Sequence, residues 1–113
     1  MRIVQGVDIL FVETSVFSKF LPENLTDDEY ADFQVFLSTH PDAGDVIRGS
    51  GGIRKVRWMS KGKGKSGGVR VIYYWKTVAD RIYLLTLYNK ETQDSLTASE
   101  RATWRKVVKV IEQ

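Results

Sequence analysis

The sequence predicts an α+β fold in which a small antiparallel β-sheet has helices packed on one face and is followed by a C-terminal helix. Three segments in the second half of the chain are rich in β-branched and aromatic residues and are joined by short connections. Two other segments begin with a capping box and continue with apolar residues at helical spacing. Because 113 residues suffice for one hydrophobic core, we interpret residues 1–113 as a single domain.

The first half of the chain is predicted to contain one strand and two helices. The apolar run at residues 9–12 is typical of a strand. Residues 14–21 are expected to form a brief helix that Pro22 stops. A second helix begins at the capping box of Thr26 and Glu29 and ends before Pro41.

The second half is predicted to form a meander of three antiparallel strands. These strands span residues 53–59, 69–75 and 82–89. The last of them is apolar on both faces, which places it in the middle of the sheet. A second capping box, at residues 97–100, opens the C-terminal helix.

The positive charge of the chain is concentrated in one window. The formal net charge is +3, but residues 46–79 contain nine basic side chains and no Asp or Glu, whereas the remainder has eight basic and fourteen acidic residues. Such a polarised charge distribution indicates a partner that is an anionic polymer. The basic residues of the window are Arg48, Arg54, Lys55, Arg57, Lys61, Lys63, Lys65, Arg70 and Lys76.

Composition argues against several classes of site. The chain has no cysteine, which fits a reducing cytoplasm, and it has no apolar run long enough to span a membrane. The first ten residues lack the apolar core of a secretory signal. The only histidine, His40, precedes Pro41 and is interpreted as a surface or capping residue. Because no carboxylate lies in the basic window, we expect neither a metal site nor a cofactor.

The stretch SKGKGKSGG, residues 60–68, is interpreted as a flexible basic hairpin loop. Its glycines match the letters of a dinucleotide-binding fingerprint, but that motif opens a helix, and a predicted strand follows here. A P-loop would require glycine where Met59 stands.

Lysine, arginine and tyrosine are well suited to one reaction, the cleavage of RNA by its own 2′-hydroxyl. Arginine can hold two phosphate oxygens at once while negative charge develops on the phosphorus. A lysine surrounded by other cations has a lowered pKa, and it can then act as a base. DNA lacks the internal nucleophile, so a metal-free reaction of this type selects RNA.

Three stretches, GDVIRGSGGIRKVRW, KGKGKSGGVRVIYYW and IYLLTLYNKE, together resemble the RelE superfamily of bacterial toxins, and specifically its HigB-like branch. The resemblance implies a RelE-like fold and a toxin of a type II toxin–antitoxin pair. It also implies a metal-independent endonuclease that cuts mRNA on the ribosome in the cytoplasm. The expected partner is a cognate antitoxin, a small helix-turn-helix protein through which DNA would be contacted only indirectly.

The resemblance assigns candidate residues. Arg70 matches the family's phosphate-contacting arginine, Lys55 and Arg57 match a basic pair on the preceding strand, and Lys90 matches a basic residue after the last strand. The sequence departs from the family pattern at residues 91–92, where a second basic residue is expected, and it has no tyrosine at residues 94–97. The candidates for RNA binding are Lys61, Lys63, Lys65 and Arg54.

Two other functions remain open at this point. The domain could be a non-catalytic nucleic-acid-binding module that uses the same basic face. It could also be an inactive toxin relative, retained as the antitoxin's partner and co-repressor. On these alternatives Arg70 would be a structural arginine stacked on aromatic side chains, and Lys90 would be surface charge.

Overall fold

The computed structural model describes residues 1–5, 9–59 and 68–113. The strands are β1 (Arg2–Gln5), β2 (Leu10–Glu13), β3 (Asp45–Val46), β4 (Arg54–Trp58), β5 (Val69–Lys76) and β6 (Arg81–Asn89). The helices are α1 (Ser15–Asn24), α2 (Asp27–Thr39) and α3 (Ala98–Ile111), and a short 3₁₀ turn (Thr77–Ala79) joins β5 to β6.

The six strands form one sheet in the order β1-β2-β6-β5-β4-β3. Neighbouring strands are antiparallel except β2 and β6, which run parallel. The predicted meander is therefore present as β4, β5 and β6. Strand β6 lies between β2 and β5, which confirms the central position expected of a strand that is apolar on both faces. The sequence analysis missed β1 and the two-residue β3.

The two faces of the sheet bury separate apolar clusters. On one face, Phe17 of α1 and Phe33 of α2 pack with Val71 and Tyr73 of β5. On the other, α3 packs its predicted apolar stripe, while Ile72 contributes from β5. The α+β class is thus confirmed, with α1 and α2 on one face and the C-terminal helix on the opposite one. The stripe consists of Trp104, Val107, Val108 and Ile111.

Both predicted capping boxes are confirmed. At the start of α2, the backbone N–H of Glu29 donates to Thr26 Oγ1 over 3.1 Å, and the Glu29 carboxylate accepts from the Thr26 N–H over 2.9 Å. The same reciprocal pair joins Thr97 and Glu100 at the start of α3. Each box satisfies two groups that the first helical turn would otherwise leave without a partner.

The prediction that Pro22 stops the first helix is wrong, because α1 continues to Asn24 with Pro22 inside it. Proline removes one backbone donor, but hydrogen bonds around it hold the last turn together. The Asn24 side chain donates to the carbonyl of Phe20 over 2.8 Å, and the N–H of Leu25 donates to the carbonyl of Leu21 over 3.0 Å. Within the described ranges, no helix has the length and apolar character needed to cross a membrane.

Candidate functional site

Three polar side chains lie in one row across the three central strands. Strand alternation places Lys55 and Arg57 on the face opposite Val56, as predicted. In the strand register, Arg57 of β4 lies directly opposite Arg70 of β5, and Arg70 lies directly opposite Tyr88 of β6. The structure therefore brings two of the predicted site residues, Arg57 and Arg70, next to each other.

Gly68 fixes the start of β5 and with it this register. Its φ of +79° lies in the left-handed region, and a Cβ there would come within 2.8 Å of the carbonyl oxygen of Trp58. The Gly68 carbonyl also accepts a hydrogen bond from the backbone N–H of Lys90 over 3.4 Å. The backbone of Lys90 is thereby tied to the strand that carries Arg70, while the Lys90 side chain is exposed.

Arg70 is almost completely buried, with 1% of its surface exposed. Its Nη2 atom lies 3.4 Å from Oδ1 of Asp94, a carboxylate that is itself 71% exposed. Two guanidinium groups directly opposite each other on adjacent strands repel, so the Asp94 charge partly offsets the repulsion between Arg57 and Arg70. Asp94 lies in the connection between β6 and α3, and the sequence analysis did not assign it to the site.

Tyr88 is the second residue that the sequence analysis missed. The pKa of its phenol is raised to about 12, chiefly by burial and also by the charges of Glu100 and Asp94, while Arg70 acts in the opposite direction. The phenol is therefore neutral at physiological pH. Among the described residues its buried hydroxyl has no hydrogen-bond partner. Regular pairing from the β5–β6 turn would place Leu87 opposite Arg70, and it is the register shift between Ile72 and Tyr73 that brings Tyr88 there, so the sequence offered no signal for this contact.

Lys55 is half-buried on the sheet face that carries Arg57 and Arg70, beside the edge strand β3. It lines an open hollow of about 500 Å³ together with Arg57 and Asp45. Asp45 lies directly opposite Lys55 in the β3–β4 register. The hollow thus contains two cations and one carboxylate.

Arg54 is not brought together with the other candidates. By strand alternation it lies on the opposite face, and its Nη1 atom donates to the backbone carbonyls of Asp42 over 3.2 Å and Gly44 over 2.7 Å. The hydroxyl of Tyr73 donates to the carbonyl of Pro41 and accepts from the N–H of Gly44. Both side chains therefore hold the connection between α2 and β3. Lys61, Lys63 and Lys65, the other predicted RNA contacts, lie outside the described residues.

The part of the chain that the structure describes contains no group of three or more His, Cys, Asp or Glu side chains arranged to hold a metal ion. His40 is exposed, forms the C-cap of α2 and stacks on Phe36. The described side chains of the basic face are arginine, lysine and tyrosine, with two nearby carboxylates, Asp45 and Asp94.

The fold and this face can be compared with known families. Residues 43–113 match the model of the RelE toxin of the RelE/RelB toxin–antitoxin system. The matched range covers β3 to β6 and α3, and it includes Lys55, Arg57, Arg70 and Lys90. The chain therefore belongs to the RelE family of toxins from toxin–antitoxin systems.

Proposed function

We propose that this RelE-family toxin is an endoribonuclease of the HigB-like branch, which cuts mRNA on the ribosome and so inhibits translation. The observation that supports this function best is the row of Arg57, Arg70 and Tyr88 across three central strands. Two guanidinium groups held side by side on a rigid sheet suit a phosphate whose negative charge increases during the reaction.

In the proposed reaction, the 2′-oxygen attacks the adjacent phosphorus and a 2′,3′-cyclic phosphate forms as the bond to the 5′-oxygen breaks. A base accepts the proton of the 2′-hydroxyl, and an acid protonates the departing 5′-oxygen. Arg70 and Arg57 stabilise the charged phosphorane, while Lys55 and Lys90 are the candidates for the two proton transfers. Tyr88 would contribute as a neutral hydrogen-bonding group, since its raised pKa keeps the phenol protonated.

In the proposed complex a substrate phosphate replaces Asp94 as the anionic partner of Arg70 Nη2. Only 1% of Arg70 is exposed, whereas Asp94 is largely exposed and can turn into water at little cost. The Asp94 carboxylate thus occupies a position on Arg70 that a substrate phosphate would take.

Asp94→Asn is expected to lower KM for ribosome-bound mRNA about two- to fivefold with little change in kcat, because an ion pair whose carboxylate is largely exposed is expected to contribute about 0.2–1 kcal/mol. Steady-state cleavage kinetics measure both constants. Asp80→Asn is the matched control, since Asp80 is exposed at the turn between β5 and β6. A lower kcat with an unchanged KM would instead assign Asp94 to holding Arg70 in place.

The lysines at positions 61, 63 and 65 are proposed to contact RNA or the ribosome. Their support is the sequence alone, which places three cations between small residues directly before β5. Arg54 is left out of the proposed RNA contacts, because its guanidinium already binds two backbone carbonyls.

The proposed partners follow from the family. A toxin of a toxin–antitoxin system has a cognate antitoxin. We propose that this antitoxin is a small helix-turn-helix protein, that the toxin meets DNA only through it, and that the pair acts in the cytoplasm.

The chemistry of the cut ends tests the proposed reaction. We expect products with 2′,3′-cyclic phosphate or 3′-phosphate ends, and cleavage that persists in saturating EDTA when the ribosomes are stabilised separately. An mRNA with a single 2′-deoxy nucleotide at the cut position should remain intact, because it lacks the nucleophile. Products with 3′-hydroxyl ends would contradict internal attack.

A second candidate function is that of a non-catalytic antitoxin partner. The burial of Arg70 and its ion pair with Asp94 favour it, because a structural arginine would have the same surroundings. Induced expression separates the two functions. Growth arrest with mapped mRNA cuts supports the nuclease, whereas antitoxin binding without either effect supports the inactive partner.

A further inference from the structure

Helix α3 has a basic outer face that the sequence analysis did not single out. Arg101, Arg105 and Lys109 follow one another at intervals of four residues, so they lie along one side of the helix, and Lys106 lies beside them. Arg101 is half-buried and the other three are exposed. These cations lie outside the basic window of the sequence, in the part of the chain that is acidic on balance.

The four cations line a groove of about 360 Å³ between α3 and the turn that precedes β4, which we call the α3 groove. Its other lining residues are Gly49, Ala98 and Ala102. Nη1 of Arg105 lies 3.5 Å from the carbonyl oxygen of Gly49, which ties the helix to the turn. Among the residues that the structure describes, no carboxylate lines the groove, and small residues form the rest of its surface, so a bulky charged backbone can come close.

The positive charge of the α3 groove is not neutralised locally. Across residues 1–5, 9–59 and 68–113, none of its four cations forms an ion pair with a carboxylate. Of the two acidic residues near the helix ends, Glu100 accepts hydrogen bonds in its capping box, and Glu112 interacts with Tyr74. The groove is therefore available to an external anion.

The spacing of the cations suits a regular chain of phosphates. Residues four apart on a helix rise by about 6 Å, and Arg101, Arg105 and Lys109 form two such steps. Double-stranded RNA is recognised mainly through its shape, its phosphates and its 2′-hydroxyl groups. A rigid row of cations beside a shallow groove can provide contacts of this kind.

The α3 groove and the proposed cleavage site are built from different residues. Helix α3 packs on the sheet face that carries Arg57 and Arg70. The turn with Gly49 precedes β4, the strand that carries Arg57. None of the residues that line the groove belongs to the row of Arg57, Arg70 and Tyr88.

We propose that the α3 groove binds the phosphate backbone of ribosomal RNA and so anchors the toxin on the ribosome while mRNA is cut at Arg70. This inference rests on the proposed ribosome dependence. An acidic protein segment is the less favoured occupant, because Ala98 and Ala102 are the only apolar side chains in the lining, and protein interfaces depend on larger apolar anchors.

The test compares two double variants of equal net charge. Arg101→Gln/Lys109→Gln removes two cations from the groove and retains Arg105, which contacts the turn. Lys19→Gln/Arg81→Gln removes two exposed cations elsewhere, on α1 and at the start of β6. Binding to purified ribosomes is measured by co-sedimentation over a salt series, together with thermal melting and antitoxin binding of each variant.

We expect the groove variant to bind ribosomes about tenfold more weakly at 0.1 M salt. The slope of log K against log [salt] should be smaller in magnitude by about 1.5, because each phosphate contact that is lost reduces the number of counterions released on binding. Its kcat at saturating ribosomes should match that of the parent, and the control variant should bind as the parent does. Equal binding and equal slopes in the two variants would overturn the inference. So would weakened antitoxin binding with unchanged ribosome binding, which would assign the groove to a protein.

The same measurements separate this inference from the proposed function. If the parent cuts ribosome-bound mRNA and the groove variant binds like the control, the inference fails and the nuclease assignment stands. If the parent binds ribosomes through the groove and leaves mRNA intact, the inference stands and the nuclease assignment fails.

Discussion

Replacing Arg70 with alanine is expected to slow mRNA cleavage by about a hundredfold or more and to abolish growth arrest on overexpression. A pre-placed donor that binds developing negative charge typically contributes on the order of 3 kcal/mol to the transition state. The register places Arg70 at the centre of the row, between Arg57 and Tyr88. Single-turnover cleavage of ribosome-bound mRNA measures the loss directly.

Two further variants serve as comparisons for the Arg70→Ala result. Arg70→Lys should recover little activity, because lysine retains the charge and loses the planar pair of donors. Arg81→Ala should behave as the parent, since Arg81 is an exposed arginine at the other end of the β5–β6 pair.

The burial of Arg70 makes folding an essential control, because a 1% exposed arginine can also be structural. Thermal melting and antitoxin pull-down of the purified Arg70→Ala protein separate the two roles. A folded variant that still arrests growth would rule out the catalytic role. A variant that melts far below the parent and fails to bind antitoxin would assign Arg70 to the structure.

The features that could be predicted from the sequence depend on short stretches of chain. The capping boxes at Thr26 and Thr97 are local patterns, and both are present in the structure. The alternation that placed Lys55 and Arg57 on one face also holds, because side chains along a strand point to opposite faces in turn. The same alternation already put Arg54 on the face of Val56, so its separation from the basic pair was readable from the sequence.

The features that could not be predicted depend on contacts between distant segments. Asp94 reaches Arg70 across 24 positions, and nothing in its own neighbourhood indicates that contact. The basic face of α3 becomes a groove only because the turn at Gly49 packs against it. Pro22 was misread for a related reason, since the hydrogen bonds around it, from the Asn24 side chain and the Leu25 backbone, support a turn that local preference alone would end.

Phe33→Ala is expected to lower the free energy of unfolding by about 3–5 kcal/mol, because truncating a buried phenylalanine leaves a cavity in the core. Phe33 is fully buried, and its ring packs edge-to-face on Trp58 of β4 at a centroid distance of 5.4 Å. For a domain of this size the midpoint of thermal unfolding should fall by at least about 10 °C. Val35→Ala is the control on the same helix, since Val35 is 53% exposed and its change should cost within about 0.5 kcal/mol.

The Phe33 variant also tests how the fold supports the proposed site. Trp58 follows Arg57 on β4, so the face of β4 that packs on α2 lies directly behind the basic face. Phe33 packs on the sheet face opposite the row. The cleavage rate per folded molecule should therefore equal that of the parent at temperatures well below the lowered midpoint, and it should be lost as the protein unfolds. Activity that falls at temperatures where the variant remains fully folded would show that packing under β4 positions Arg57. A midpoint equal to that of the parent would contradict the assignment of α2 to the core.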